Sequence, residues 1–246
     1  VDSGYYAACT ALKTQSNALE LIANNVANIN TTGYRAQLPS FESLLVEGRN
    51  AMPSNGWSRL VNQFAVLDDT RLDLTEGNLQ RTGNPLDLAL DGPGFFAVQT
   101  KAGELYTRNG NFRLSATGQL TTAAGDAVLG TAGPINVPGN AQIAIGPDGT
   151  ISLAGAVTGK LRLVEFAPGA QVTAVGGQYY SAPVTAATPA LHTRIQAGML
   201  ESSNVNPVAA VVALITAQRQ AEMVGRAMSA FYTDFNRIAA DELPRL

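Results

Sequence analysis

Few residues in this 246-residue chain are of the types that carry covalent or metal chemistry. There is one histidine, His192, in the segment ATPALHTR. With no second imidazole and no neighbouring thiol it cannot complete a zinc site, and no nucleophile elbow accompanies it for a Ser-His-Asp arrangement. Cys9 is the single cysteine, which excludes a disulfide framework and a thiolate metal cluster. Asp87 and Asp91 have the spacing of a carboxylate pair, but NPLDLALDGPG reads as strand and turn punctuation. DGPGFF lacks the third glycine of a dinucleotide fingerprint and runs into a strand rather than a helix. Asn30-Thr31-Thr32 matches a glycosylation acceptor only formally. The sequence therefore predicts no catalytic residue, no cofactor and no metal.

What remains is amide chemistry. The segment ANNVANINTTGYRA, residues 23–36, holds Asn24, Asn25, Asn28 and Asn30 at the end of a helical pattern. Each Asn costs a helix interior roughly 0.6 kcal/mol relative to Ala, so the run needs a return. Directional amide hydrogen bonds fix register and partner at a packed helix position. Asn204 and Asn206 repeat the theme just before the last helical pattern.

Three kinds of segment position these groups. Residues 3–30 predict a helix, with Asp2 and Ser3 as caps and Gly33 beyond its end. Tyr5, Ala8, Leu12, Leu19, Ile22, Val26 and Ile29 gather on one face, opposite Thr10, Thr14, Asn17, Asn24 and Asn28. Residues 77–180 hold 18 of the 24 glycines and a series of short alternating runs, among them FFAVQT, ELYTR, TISL and KLRLVEF. Ala102-Gly103, Asn109-Gly110, Thr117-Gly118 and Asp148-Gly149 punctuate them as hairpin signals, which predicts an antiparallel sandwich or barrel. Residues 207–241 predict a second long helix, capped by Asn206 and entered through Pro207. Leu214, Ala217, Ala221, Val224, Met228, Phe231, Phe235 and Ile238 step alternately by three and four, a heptad seam. Residues 36–76 read as an extended connector.

The bulk composition narrows the function. Net charge is −3 and no basic run occurs, which disfavours nucleic acid. No apolar stretch reaches the length of a spanning helix, so no membrane insertion is expected. The N-terminal residues lack the pattern of a cleaved secretory signal. A long apolar seam that cannot cover itself points to assembly. The competing readings are a wall-remodelling hydrolase, which needs a catalytic pair in a pocket, and a free-standing adhesin-like module, which needs a stable monomer.

ANNVANINTTGYRA closely resembles the N-terminal signature of the bacterial flagellar axial proteins, the rod and hook family. Three further segments match in the family's order: GNPLDLALDGPGFFAVQT, YTRNGNFRLSATGQLTT and GMLESSNVNPV. Tyr34, where Phe is commoner, is a departure that leaves the resemblance intact. The single β domain resembles the rod members, the proximal type first and the distal type second. The resemblance implies an α+β fold, with long N- and C-terminal helices packed as a coiled-coil-like bundle, and a central antiparallel all-β domain. It divides the chain into a helical assembly domain (1–35 and 204–246), a connector (36–75) and a β-rich outer domain (76–203). It implies a structural subunit of the periplasmic rod of the basal body, the drive shaft of the flagellum. The implied partners are other proximal and distal rod proteins, copies of the chain itself, and the flagellar type III export apparatus, used without a cleaved signal peptide. The expected subunit interface is Leu12, Leu19, Asn24, Asn25, Val26, Asn28, Asn30, Asn204, Asn206, Leu214, Ala221, Val224, Met228, Phe231 and Phe235.

Overall fold

The computed structural model describes residues 2–42, 66–137, 143–167, 169–176 and 178–242. The chain divides into two compact units. A helical unit holds residues 1–26, 37–71 and 206–246, and a β unit holds residues 27–36 and 72–205.

In the helical unit, α1 spans Asp2–Ala27 and α2 spans Pro207–Glu242. Asn206 caps α2 as its position predicts: its Oδ1 accepts the amides of Val208 and Ala209, both at 3.1 Å. The strands Gln37–Glu42 and Val66–Leu72 pair as a two-stranded sheet, so the ends of the expected connector are extended. Its residues 43–65 lie outside the described residues.

The α+β class stands, but the expected coiled-coil-like bundle does not. The described residues contain two α-helices, one near each end of the chain. They are joined by hydrogen bonds from Gln15, whose Nε2 donates to the Ala217 carbonyl at 2.9 Å and to Gln220 Oε1 at 3.3 Å. Two causes combine. The seam places Ala217 and Ala221 where knobs-into-holes packing wants large side chains, and a single partner helix covers only one stripe. Ala217 is the one buried residue among those described on α2, while Leu214, Ala221, Val224 and Met228 are half-buried.

The β unit is antiparallel throughout its described pairings. Among the described residues its largest sheet has ten strands, centred on Phe95–Thr100 between Gly103–Thr107 and Ala127–Gly130. Phe96 and Val98 enter one apolar cluster with Leu88, Leu90, Phe112, Val128 and Ile195. Phe95 and Ala97 enter a second with Tyr106, Leu129, Val164 and Tyr180 on the other face. FFAV is apolar without alternation because this strand is buried on both sides. The strands Leu88–Asp91 and Arg194–Ala197 pair beside it, as do Leu79–Arg81 and Met199–Glu201.

Three predicted turns close hairpins, at Gly103, Gly118 and Gly149, each with positive φ. Asn109-Gly110 does not. The strands Gly103–Thr107 and Arg113–Leu114 do not pair, and Gly110 instead lies flat against Leu88. A Cβ there would fall 1.7 Å from the Leu88 carbonyl oxygen. This glycine permits close backbone approach rather than a turn.

Candidate functional site

The chain enters and leaves the β unit side by side. After α1, the turn through Asn28–Thr31 leads to Gly33, whose φ of 69° is open to glycine at little cost. Its amide donates to the Glu201 carbonyl at 2.8 Å, and the Asn204 amide donates to the Tyr34 carbonyl at 3.3 Å. A Cβ on Gly33 would stand 2.4 Å from the backbone of both Arg108 and Asn109. Residues 33–36 and 201–204 therefore run together, pressed onto the β unit. The Asn204 side chain completes the seam. Its Oδ1 accepts the Ala36 amide at 2.7 Å, and its Nδ2 donates to the carbonyls of Asp73 and Thr75 at 2.9 and 3.0 Å.

Beneath this pair of segments lies a buried ion cluster. Glu201 is 0% exposed, as is Arg35, and Arg108 is 1% exposed, so all three charges are out of water. Glu201 Oε1 sits 2.6 Å from Arg35 Nη2 and accepts the Gly77 amide at 2.8 Å. Glu201 Oε2 accepts from Arg108 Nη1 at 3.2 Å. Arg108 Nη2 donates to the Gly92 carbonyl at 2.5 Å, and its guanidinium lies 5.0 Å from the centre of the Phe95 ring. Tyr180 Oη accepts the Arg35 amide at 2.9 Å and faces the Gly33 carbonyl at 3.3 Å. Burial lowers the Arg108 guanidinium to about 10 against the pull of Glu201, and burial pushes the Tyr180 phenol up to about 12. Nε and Nη1 of Arg35 and Nε of Arg108 have no hydrogen-bond partner, and Arg35 Nη2 faces Glu201 as an ion pair without an aligned bond.

This geometry fastens backbone; it does not offer a reacting group to a substrate. His192 is exposed, with Nδ1 3.4 Å from Glu165. Asp87 is buried and accepts from Asn84 and Asn111, while Asp91 accepts from Gln196.

The expected interface residues are divided between the two units, with Asn28, Asn30 and Asn204 in the β unit and the others in the helical unit. Asn25 grips its own chain within the helical unit, donating to the Gln37 carbonyl at 2.7 Å and accepting its amide at 2.9 Å. Asn28 accepts from the Thr31 hydroxyl at 3.0 Å, and Asn204 and Asn206 serve as described above. Asn24 and Asn30 are exposed, and Leu12, Leu19 and Val26 are half-buried. Phe231 and Phe235 lie on α2, with side chains outside the described residues. Arg35, Arg108, Glu201 and Tyr180 were not foreseen as a group.

Three family models match successive parts of the chain. The family described as "Flagella basal body rod protein" matches residues 6–35, across α1 and the buried turn. The "Flagellar hook protein FlgE/F/G D1 domain" matches residues 89–153, and the "Flagellar basal body rod FlgEFG protein C-terminal" family matches residues 196–233. The FlgF rod protein of Escherichia coli (strain K12) is 37% identical over 261 aligned residues, covering 99% of this chain and 98% of the relative. The chain belongs to the flagellar basal-body rod protein family. The FlgF of Caulobacter vibrioides is 33% identical over the whole of both chains. The FlgG rod protein of Agrobacterium fabrum is 34% identical over 88% of this chain and 90% of its own. This rod protein is thus most like those called FlgF. The family's N-terminal signature, in this chain, ends on Tyr34 and Arg35 inside the buried cluster, and its C-terminal match opens in the strands that carry Glu201.

Proposed function

We propose that this rod protein is a structural subunit of the proximal flagellar rod, built into the shaft through its terminal helices and held in shape by its β unit. One observation carries the reading beyond family membership. At 100° per residue, the half-buried seam of α2 lies on one side of the helix, and Val208, Val212, Ile215 and Met223 lie on the other. These four are exposed, Val208 by 74%. A helix apolar on two opposite sides is suited to being covered twice, and its own chain covers it once.

The covering surfaces are the helices of other rod proteins and of further copies of this chain. Leu12, Leu19, Val26, Leu214, Ala221, Val224 and Met228, with the amides of Asn24 and Asn30, form the candidate contact set on this side. The subunit reaches the periplasmic part of the basal body through the flagellar export apparatus and acts there without catalysis. A FlgG-like distal position is the second reading, supported by similar identity over a smaller share of the chain.

The test is Ile215→Asp in a strain whose own copy is deleted. The expected outcome is a purified chain that melts as the parent does and a strain that does not swim. Normal swimming by this variant contradicts the reading, and so does failure of the parent chain to restore swimming.

A further inference from the structure

We infer that the buried Arg35–Glu201–Arg108 cluster is a positioning device: it fixes the one place on the β unit where residues 33–36 and 201–204 are seated. The biological use of that seat rests on the rod reading above; the seat itself does not.

Three observations support it. The cluster joins segments far apart in sequence, and Glu201 is their hub. Its carbonyl holds Gly33, one carboxylate oxygen holds Gly77 and Arg35, and the other holds Arg108. The groups are charged and wholly buried, with several donors unpaired, which is a poor arrangement for stability alone. An apolar clasp of the same volume would hold as well and slide more readily. Finally, the surroundings accept only one seating. Gly33 is pressed on the backbone of Arg108 and Asn109, and a Cβ on Gly77 would fall 1.9 Å from the Ser202 carbonyl oxygen. Fixed donors and acceptors at a site with no slack give a single register.

The inference is tested by separating seating from stability in the purified full chain. Cys9→Ser removes the native thiol, and Asn30→Cys with Ala102→Cys places spin labels on two exposed positions of the β unit. The parent cluster is expected to give one narrow distance distribution. The variant Arg35→Met, Arg108→Met, Glu201→Leu is expected to melt at or above the parent temperature with a broadened or shifted distribution. The same narrow distribution in that variant overturns the inference. If the triple variant does not melt cooperatively, Arg35→Lys decides, since it keeps the charge and loses the planar fork. Broadening in Arg35→Lys supports positioning, and an unchanged distribution overturns it. These distances are read without a flagellum, so a failure of the rod reading appears only in the swimming assay.

Discussion

In the β unit, Phe95 and Phe96 are neighbours in sequence and both are buried, on opposite faces of one strand. In the helical unit, Val208, Val212 and Ile215 lie on a long helix and all three face solvent. The contrast extends to polar groups. The β unit draws even Arg35, Arg108 and Glu201 inside, whereas α2 keeps its described charges outside, as in the exposed Glu222–Arg226 pair. The β unit encloses two apolar clusters within a single chain, although single apolar residues such as Val157 and Leu191 stay exposed on its surface. The helical unit carries a row of exposed apolar side chains on α2, at Val208, Val212, Ile215 and Met223. A rod needs both: a rigid piece that holds shape and a helical surface left open for assembly.

The sharpest way to break this comparison is to damage the β unit from within. Glu201→Leu leaves two guanidinium groups buried without their carboxylate, and is expected to destabilise the β unit by about 3–5 kcal/mol. A denaturant midpoint unchanged from the parent would show that the cluster is not closed to water. Gly33→Val is expected to cost at least ~2 kcal/mol, since its φ is positive and its Cβ meets backbone. The readout is again the denaturant midpoint.

The helical side predicts the opposite pattern. Val224→Asp places a carboxylate in the half-buried seam, yet the β unit's own melting transition is expected to stay within about 0.5 kcal/mol of the parent while swimming fails. A large loss of β-unit stability would mean that the units share their core.

A further effect comes from pH. Burial pushes Tyr34, Tyr179 and Tyr180 each up to about 12. The unfolded phenols ionise near their ordinary value of 10, so between about 10 and 12 the folded chain holds protons that the unfolded chain releases. Stability is therefore full below about 10 and falls as pH rises toward 12. Arg108, lowered to about 10, acts in the opposite direction as one group against three. A melting temperature that stayed flat or rose over that interval would contradict the assignment.

Much of this division is written in short-range sequence pattern. The 3-4 spacing marks the seam positions that turn out least exposed on α2, and Asn206 is the cap that its place before Pro207 implies. Strand runs such as FFAVQT and TISL fall on strands because their flanking turns are local events. The cluster was hidden for the converse reason. Arg35, Arg108 and Glu201 sit in TGYRA, YTRNG and MLES, where each reads as an ordinary surface charge, and 93 residues separate the last two. Only the tertiary fold brings them together. Gly110 misled because Asn-Gly signals a turn, while the need it meets is a close contact with Leu88, far away in sequence. The asparagines are legible only in part. Asn25 and Asn204 hold the chain's own backbone, a use that composition does not distinguish from holding a neighbour's.

Hydrogen exchange on the dilute purified chain, followed peptide by peptide, compares the burial of the two units residue by residue. Strong protection is expected across the β unit, including residues 33–36 and 199–205, and weak protection along α2, whose amides become protected in isolated basal bodies. Equal protection of α2 and the β unit in the dilute chain would contradict this, because the helix would then need no neighbour to complete its burial.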